Sequence, residues 1–120
     1  MNVLVGIDGT ERAFAAFERT VARVKETGDD LTAAIVASEI ERPETIERRV
    51  REVLDGEGIE APIRRIEGHA GGGLVDLADD GGFDRLVVDG GERSPTGKIR
   101  LDSTTEFVLL NAETSVTLAR

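Results

Sequence analysis

At 120 residues, 39% of them hydrophobic, the chain is long enough to bury one core and too short for two, so a single domain over 1–120 is expected. Cysteine is absent and histidine occurs once, which excludes disulfides, thiolate nucleophiles, cysteine-ligated zinc and a histidine-rich metal centre within one chain. Asp and Glu number 24 against 15 Lys and Arg, and the net charge of −9 repels nucleic-acid phosphates.

No apolar run approaches the roughly 20 residues of a membrane span, and "MNVLVGIDGT" has neither a basic n-region nor a cleavage-type segment; the cytoplasm is the expected location. Only Lys25 and Lys98 are lysines and aromatics make up 3%. That composition resembles proteins of salt-loving archaea, whose carboxylates keep the surface hydrated at molar salt. A merely soluble acidic protein is the alternative.

In chain order, "NVLVGID" reads as a strand buried on both faces and ending at an Asp-Gly turn, where Asp8 is suited to bond the turn it sits in. Thr10 offers an N-cap, and Phe14, Phe17, Val21 and Val24 recur at helical spacing up to a stop at Gly28. "LTAAIVASEI" gives a second strand. Pro43 suits a first helical turn, and Ile46, Val50, Val53 and Leu54 form a stripe ending at Gly56 or Gly58. The mixed charges of that helix mark a solvated face. "APIRRIEG" is a weak strand, "GGGLVDLADDGG" a short helix after a solvated His69, and "DRLVVDGG" a clear strand.

Beyond a loop, Ser103 and Glu106 make an S-x-x-E capping box ahead of an apolar helix, with Asn111 as its C-cap, and "TSVTLAR" closes the chain as a strand. Strands alternating with helices predict an α/β fold: a single open five-stranded parallel sheet with helices on both faces.

The loop itself, "ERSPTGKI", mimics a P-loop but has Glu92 where the first glycine belongs and Ile99 at the hydroxyl position. No set of nucleophile, base and orienter can be assembled, so no catalytic residue is expected, and no metal site either. A flavodoxin-like carrier fits the topology, but the only aromatic residues to sandwich a flavin are four Phe, mostly on expected core faces.

Taken together, "VLVGIDGT", "RVKETGDDLTAAIV" and "FDRLVVDGG" resemble the universal stress protein family over essentially the whole chain. Nucleotide-binding members of that family carry a phosphate loop G-x2-G-x9-G-[ST]. In "DGGERSPTGKIRLDS" its glycines fall on Asp89, Glu92 and Asp102 and its hydroxyl on Ser103, and "RSPTGK" resembles a form of the loop common among haloarchaeal members. The resemblance implies a fold of the adenine-nucleotide alpha-hydrolase type and a candidate set for ATP or AMP with Mg²⁺: Asp8, Val36, Gly90, Gly91, Lys98, Arg100, Ser103 and Thr104. Arg93, Lys98 and Arg100 offset part of the added negative charge if they turn inward. The resemblance also implies a homodimer through the edge of the last strand, at Val116, Thr117 and Leu118.

Two readings follow. One is a homodimeric stress-response module that binds an unknown protein partner, with nucleotide binding weak or lost. The other is an ATP- or AMP-binding switch with at most weak hydrolysis.

Overall fold

A computed structural model describes residues 1–93 and 95–119. The main sheet is five-stranded and parallel, in the order β3-β2-β1-β4-β7, as the alternation of elements predicts. Its strands are β1 (Asn2–Ile7), β2 (Asp30–Ile35), β3 (Ile63–Arg65), β4 (Arg85–Asp89) and β7 (Ser115–Ala119); the helices are α1 (Glu11–Thr27), α2 (Pro43–Glu57), α3 (Ala70–Asp80) and α4 (Ser103–Asn111). A two-stranded antiparallel hairpin, β5 (Glu92–Arg93) with β6 (Ile99–Arg100), occupies the loop between β4 and α4.

Successive strand residues point to opposite faces, and the two core clusters follow that rule. On one face Val3, Val5 and Ile7 of β1 and Val87 of β4 pack against Phe14, Phe17 and Val21 of α1 and Ile46, Val50 and Leu54 of α2. On the other, Leu4, Leu86 and Val88 pack with Leu74 and Ala78 of α3 and Val108 of α4. Each fully buried Phe or Leu contributes about 1.5–3 kcal/mol of transfer free energy. α3 and α4 cross where Gly71 has no side chain: a Cβ there would sit 2.8 Å from Phe107.

Several boundaries depart from the sequence reading. β2 ends at Ile35, so "VASE" leaves the sheet, after the Val36 amide bonds the Ile7 carbonyl at 3.0 Å. β3 is only three residues long and half-exposed, as its charged context favours. α4 is capped by Asp102, whose Oδ1 accepts from the Thr105 amide at 2.7 Å; Ser103 is the first helical residue, and the expected capping box does not form the cap. The Asp carboxylate, one position earlier, outcompetes the Ser hydroxyl because it brings negative charge to the positive end of the helix. Asn111 is the last helical residue, and Ala112 is the C-cap. His69 is not a plain loop residue: its Nδ1 accepts from the Gly72 amide at 2.8 Å and caps α3, while its ring meets Phe107 edge-on at 4.7 Å. Arg120, read as the end of the last strand, lies outside the described residues.

Candidate functional site

β1 and β4 are neighbours, but β1 leads through α1 to β2 on one side and β4 leads through α4 to β7 on the other. This switch point, at the carboxyl ends of the strands, is where open α/β sheets take ligands. Two loops frame it.

The β1–α1 loop is a chain of local bonds. Asp8 Oδ1 accepts from the Thr10 amide at 2.8 Å and the Thr10 hydroxyl at 2.6 Å; the Thr10 oxygen in turn accepts from the Ala13 amide at 3.1 Å and caps α1. Asp8 therefore has the turn-building role its position suggested.

The β4–α4 loop holds Asp89, Glu92 and Asp102, the carboxylates at the positions where the resemblance expects glycines. Asp89 is buried at the end of β4; its Oδ1 accepts from the Gly91 amide at 3.1 Å and its Oδ2 from Arg12 Nε at 3.2 Å. The same guanidinium reaches Glu92 at 3.1 Å. These contacts hold Arg12 even more firmly in its charged form, the hydrogen bond it donates to Asp89 being the main cause. Gly91 has a φ of 82°, and a Cβ there would collide with the Arg100 carbonyl, so glycine lets the hairpin close against its own start. Asp102 spends its carboxylate on the α4 amide.

The sequence-derived candidates are thereby divided. Asp8, Val36 and Thr104, with Asp89 and Asp102, surround a cleft at the switch point of only about 20 Å³, into which Leu74 also packs. Ser103 opens α4 beside it. Gly90 and Gly91 line a different space on the α1 side, with Arg12, Glu92 and Ile99. Lys98 and Arg100 are exposed on the hairpin. The side chain of Arg93 lies outside the described residues. Among the described residues no group of three or more His, Asp or Glu is arranged to hold a metal ion.

Arg12 is the residue that sequence reasoning missed. A signal existed: a cation in the first turn of a helix opposes the helix dipole and so calls for an anionic partner. Nothing in the spacing pointed to Asp89, 77 residues away.

The comparisons with known proteins agree on one lineage. Residues 34–120 match the family model described as Universal stress protein family. A universal stress protein solved in complex with cAMP is 25% identical, with a TM-score of 0.79 over 100% of this chain and 96% of that one. A universal stress protein from Archaeoglobus fulgidus is 20% identical, with a TM-score of 0.77 over 100% and 98%. One from Arabidopsis thaliana with AMP bound is 16% identical, with a TM-score of 0.67 over 99% and 90%. No curated protein matches the chain at a significant level.

Proposed function

The chain belongs to the universal stress protein family, and from that premise we propose that it is a homodimeric stress-response module that acts by binding other proteins, with nucleotide binding weak or lost. The observation that carries this reading is the cleft at the switch point. Its volume is about 20 Å³, room for a water molecule, whereas small-molecule pockets run to about 300–1,000 Å³. Asp8, Asp89 and Asp102 border it, so a phosphate there would meet carboxylates. Each charge pair at about 4 Å costs about 1 kcal/mol in water and about 4 at an intermediate dielectric. The α4 dipole offers only about 0.3–1 kcal/mol in return, and Asp102 already takes one of its amides.

Support for the dimer comes from the other end of the sheet order. β7 is outermost, and "SVTLA" carries neither Pro nor Lys to blunt an exposed edge. Antiparallel pairing of Val116, Thr117 and Leu118 with a second copy about a two-fold axis closes after two subunits. No helix among the described residues is long and apolar enough to cross a membrane, in keeping with a cytoplasmic module.

A second reading, a nucleotide-dependent switch taking ATP or AMP with Mg²⁺, is favoured by the cAMP complex of the 25% identical protein. It requires the α4 amides to be freed from Asp102 and the cleft to open. Calorimetric titration with ATP and AMP, with and without Mg²⁺ in molar salt, separates the two. The proposal expects dissociation constants weaker than about 100 μM, a gain in affinity for Asp102→Gly, and a dimer by light scattering. Micromolar binding by the unaltered chain would overturn it.

A further inference from the structure

Arg12, Ala15, Arg19 and Arg23 follow one another along α1 at spacings of three and four, and so share one face of the helix. That face overlooks β4 and β7, where Arg85, Val87 and Asp89 lie in register with Ser115, Thr117 and Ala119 and point to the same side. The helices of this layer pack mainly over β2, β1 and β4, and β7 beyond them is only half-buried, with Ala119 alone of its residues packed against the core of this layer. Two cavities of about 380 and 280 Å³ fill the gap, sharing Arg19 and Ala119 in their walls.

The charge in this groove is uneven. Of the carboxylates on its walls, Asp89 and Glu92 are engaged by Arg12, and Asp29 is engaged by the Met1 ammonium at 3.0 Å. Among the described residues no carboxylate comes within ion-pairing distance of Arg19, Arg23 or Arg85. A chain of net −9 thus gathers three arginines outside any ion pair, with only Asp29 acting on Arg23 from a distance, beside a half-buried strip of sheet. Guanidinium groups recognise carboxylates with paired, charge-assisted hydrogen bonds, most strongly where apolar walls lower the local dielectric.

We propose that this groove docks an acidic peptide segment of a partner protein, its carboxylates on Arg19, Arg23 and Arg85 and its interspersed apolar side chains on Val87, Thr117 and Ala119. The inference deepens the binding-module reading and rests on it, naming the chemistry of the partner. Charge complementarity selects a peptide over a nucleic acid. An acidic segment needs to approach only the groove, whereas a long phosphate backbone also meets the field of the surrounding acidic surface. Antiparallel pairing of two β7 edges keeps both α1 helices on one side of the joined sheet. Dimer formation through that edge therefore places both grooves on the same face of the joined sheet, one on either side of the two-fold axis.

The test uses the whole chain without nucleotide and a fluorescein-labelled peptide alternating Glu and Val, read by anisotropy. Binding is expected with a dissociation constant near about 10 μM at about 0.15 M salt, weakening as salt is added. Arg19→Glu with Arg23→Glu should weaken it at least about tenfold, and the neutral pair Arg19→Gln with Arg23→Gln by a smaller factor in the same direction. Arg48→Glu with Arg64→Glu, an equal charge change at exposed positions on α2 and β3, should alter it less than about twofold. Absence of binding, equal losses in the two charge-reversed proteins, or full displacement of the peptide by single-stranded RNA would each overturn the proposal. Tight ATP binding in the separate titration would defeat the nucleotide part of the functional reading and leave this result standing.

Discussion

The loop after β1 and the loop after β4 leave adjacent strands at the same end of the sheet, and both are built on aspartates, yet they are held by different kinds of bond. In the first, Asp8 and Thr10 satisfy each other and the start of α1 within a few residues of chain. In the second, Asp102 does the same for α4, but Asp89 and Glu92 depend on Arg12 from the opposite half of the sequence. A carboxylate in such a loop therefore repels an anion while its own oxygens are already bonded. It is already engaged, and the question for any anion is what it must displace.

The difference can be broken most severely at Arg12. Arg12→Ala strips buried Asp89 of its ion-pair partner and leaves it only the Gly91 amide. Because Arg12 is itself 44% exposed, the cost falls below that of a fully buried pair, at about 2 kcal/mol, or a fall in melting temperature of roughly 8 °C. Thr10→Ala removes only a local cap, and about 1 kcal/mol should go with it. Asp102→Gly should cost least of the three, a few tenths of a kcal/mol, since Gly itself is tolerated at a cap. Thermal unfolding of the three variants in one buffer checks the ranking; a loss for Thr10→Ala equal to or above that for Arg12→Ala would erase the distinction between the loops.

The same distinction explains what the sequence made legible. β1, α1 and β4 were readable because apolar spacing and a cap are local signals, and the order of elements was enough to give the sheet. Asp8 was readable as a turn residue for the same reason. The cap at Asp102 was equally local but was masked by the S-x-x-E pattern starting one residue later. The β5–β6 hairpin, with two residues per strand, has too little alternation to announce itself. Arg12 with Asp89, and the arginine groove between α1 and β7, depend on which strands become neighbours, and no spacing along the chain encodes that.

The subtlest way to sharpen the comparison is pH, acting on another long-range carboxylate. Half-buried Asp79 near the end of α3 accepts from the Thr114 hydroxyl at 2.7 Å, from the Thr114 amide at 3.0 Å and from the Glu113 amide at 3.2 Å, tying α3 to the start of β7 across 35 residues. These bonds, the Thr114 hydroxyl first, favour the charged form and hold its pKa below the ordinary carboxylate value. A pKa lowered in the folded state stabilises above the unfolded value of about 3.9, and the stabilisation is lost as pH falls through the folded value. Asp79→Asn keeps the shape and an acceptor oxygen but cannot ionise. Its urea midpoint should therefore lie below that of the unaltered chain at neutral pH, and the gap should narrow below about pH 4 as Asp79 takes up its proton. A gap of constant size from neutral to acidic pH would mean that Asp79 acts through shape alone, and that the charge of this long-range tie contributes nothing to holding β7 in the sheet.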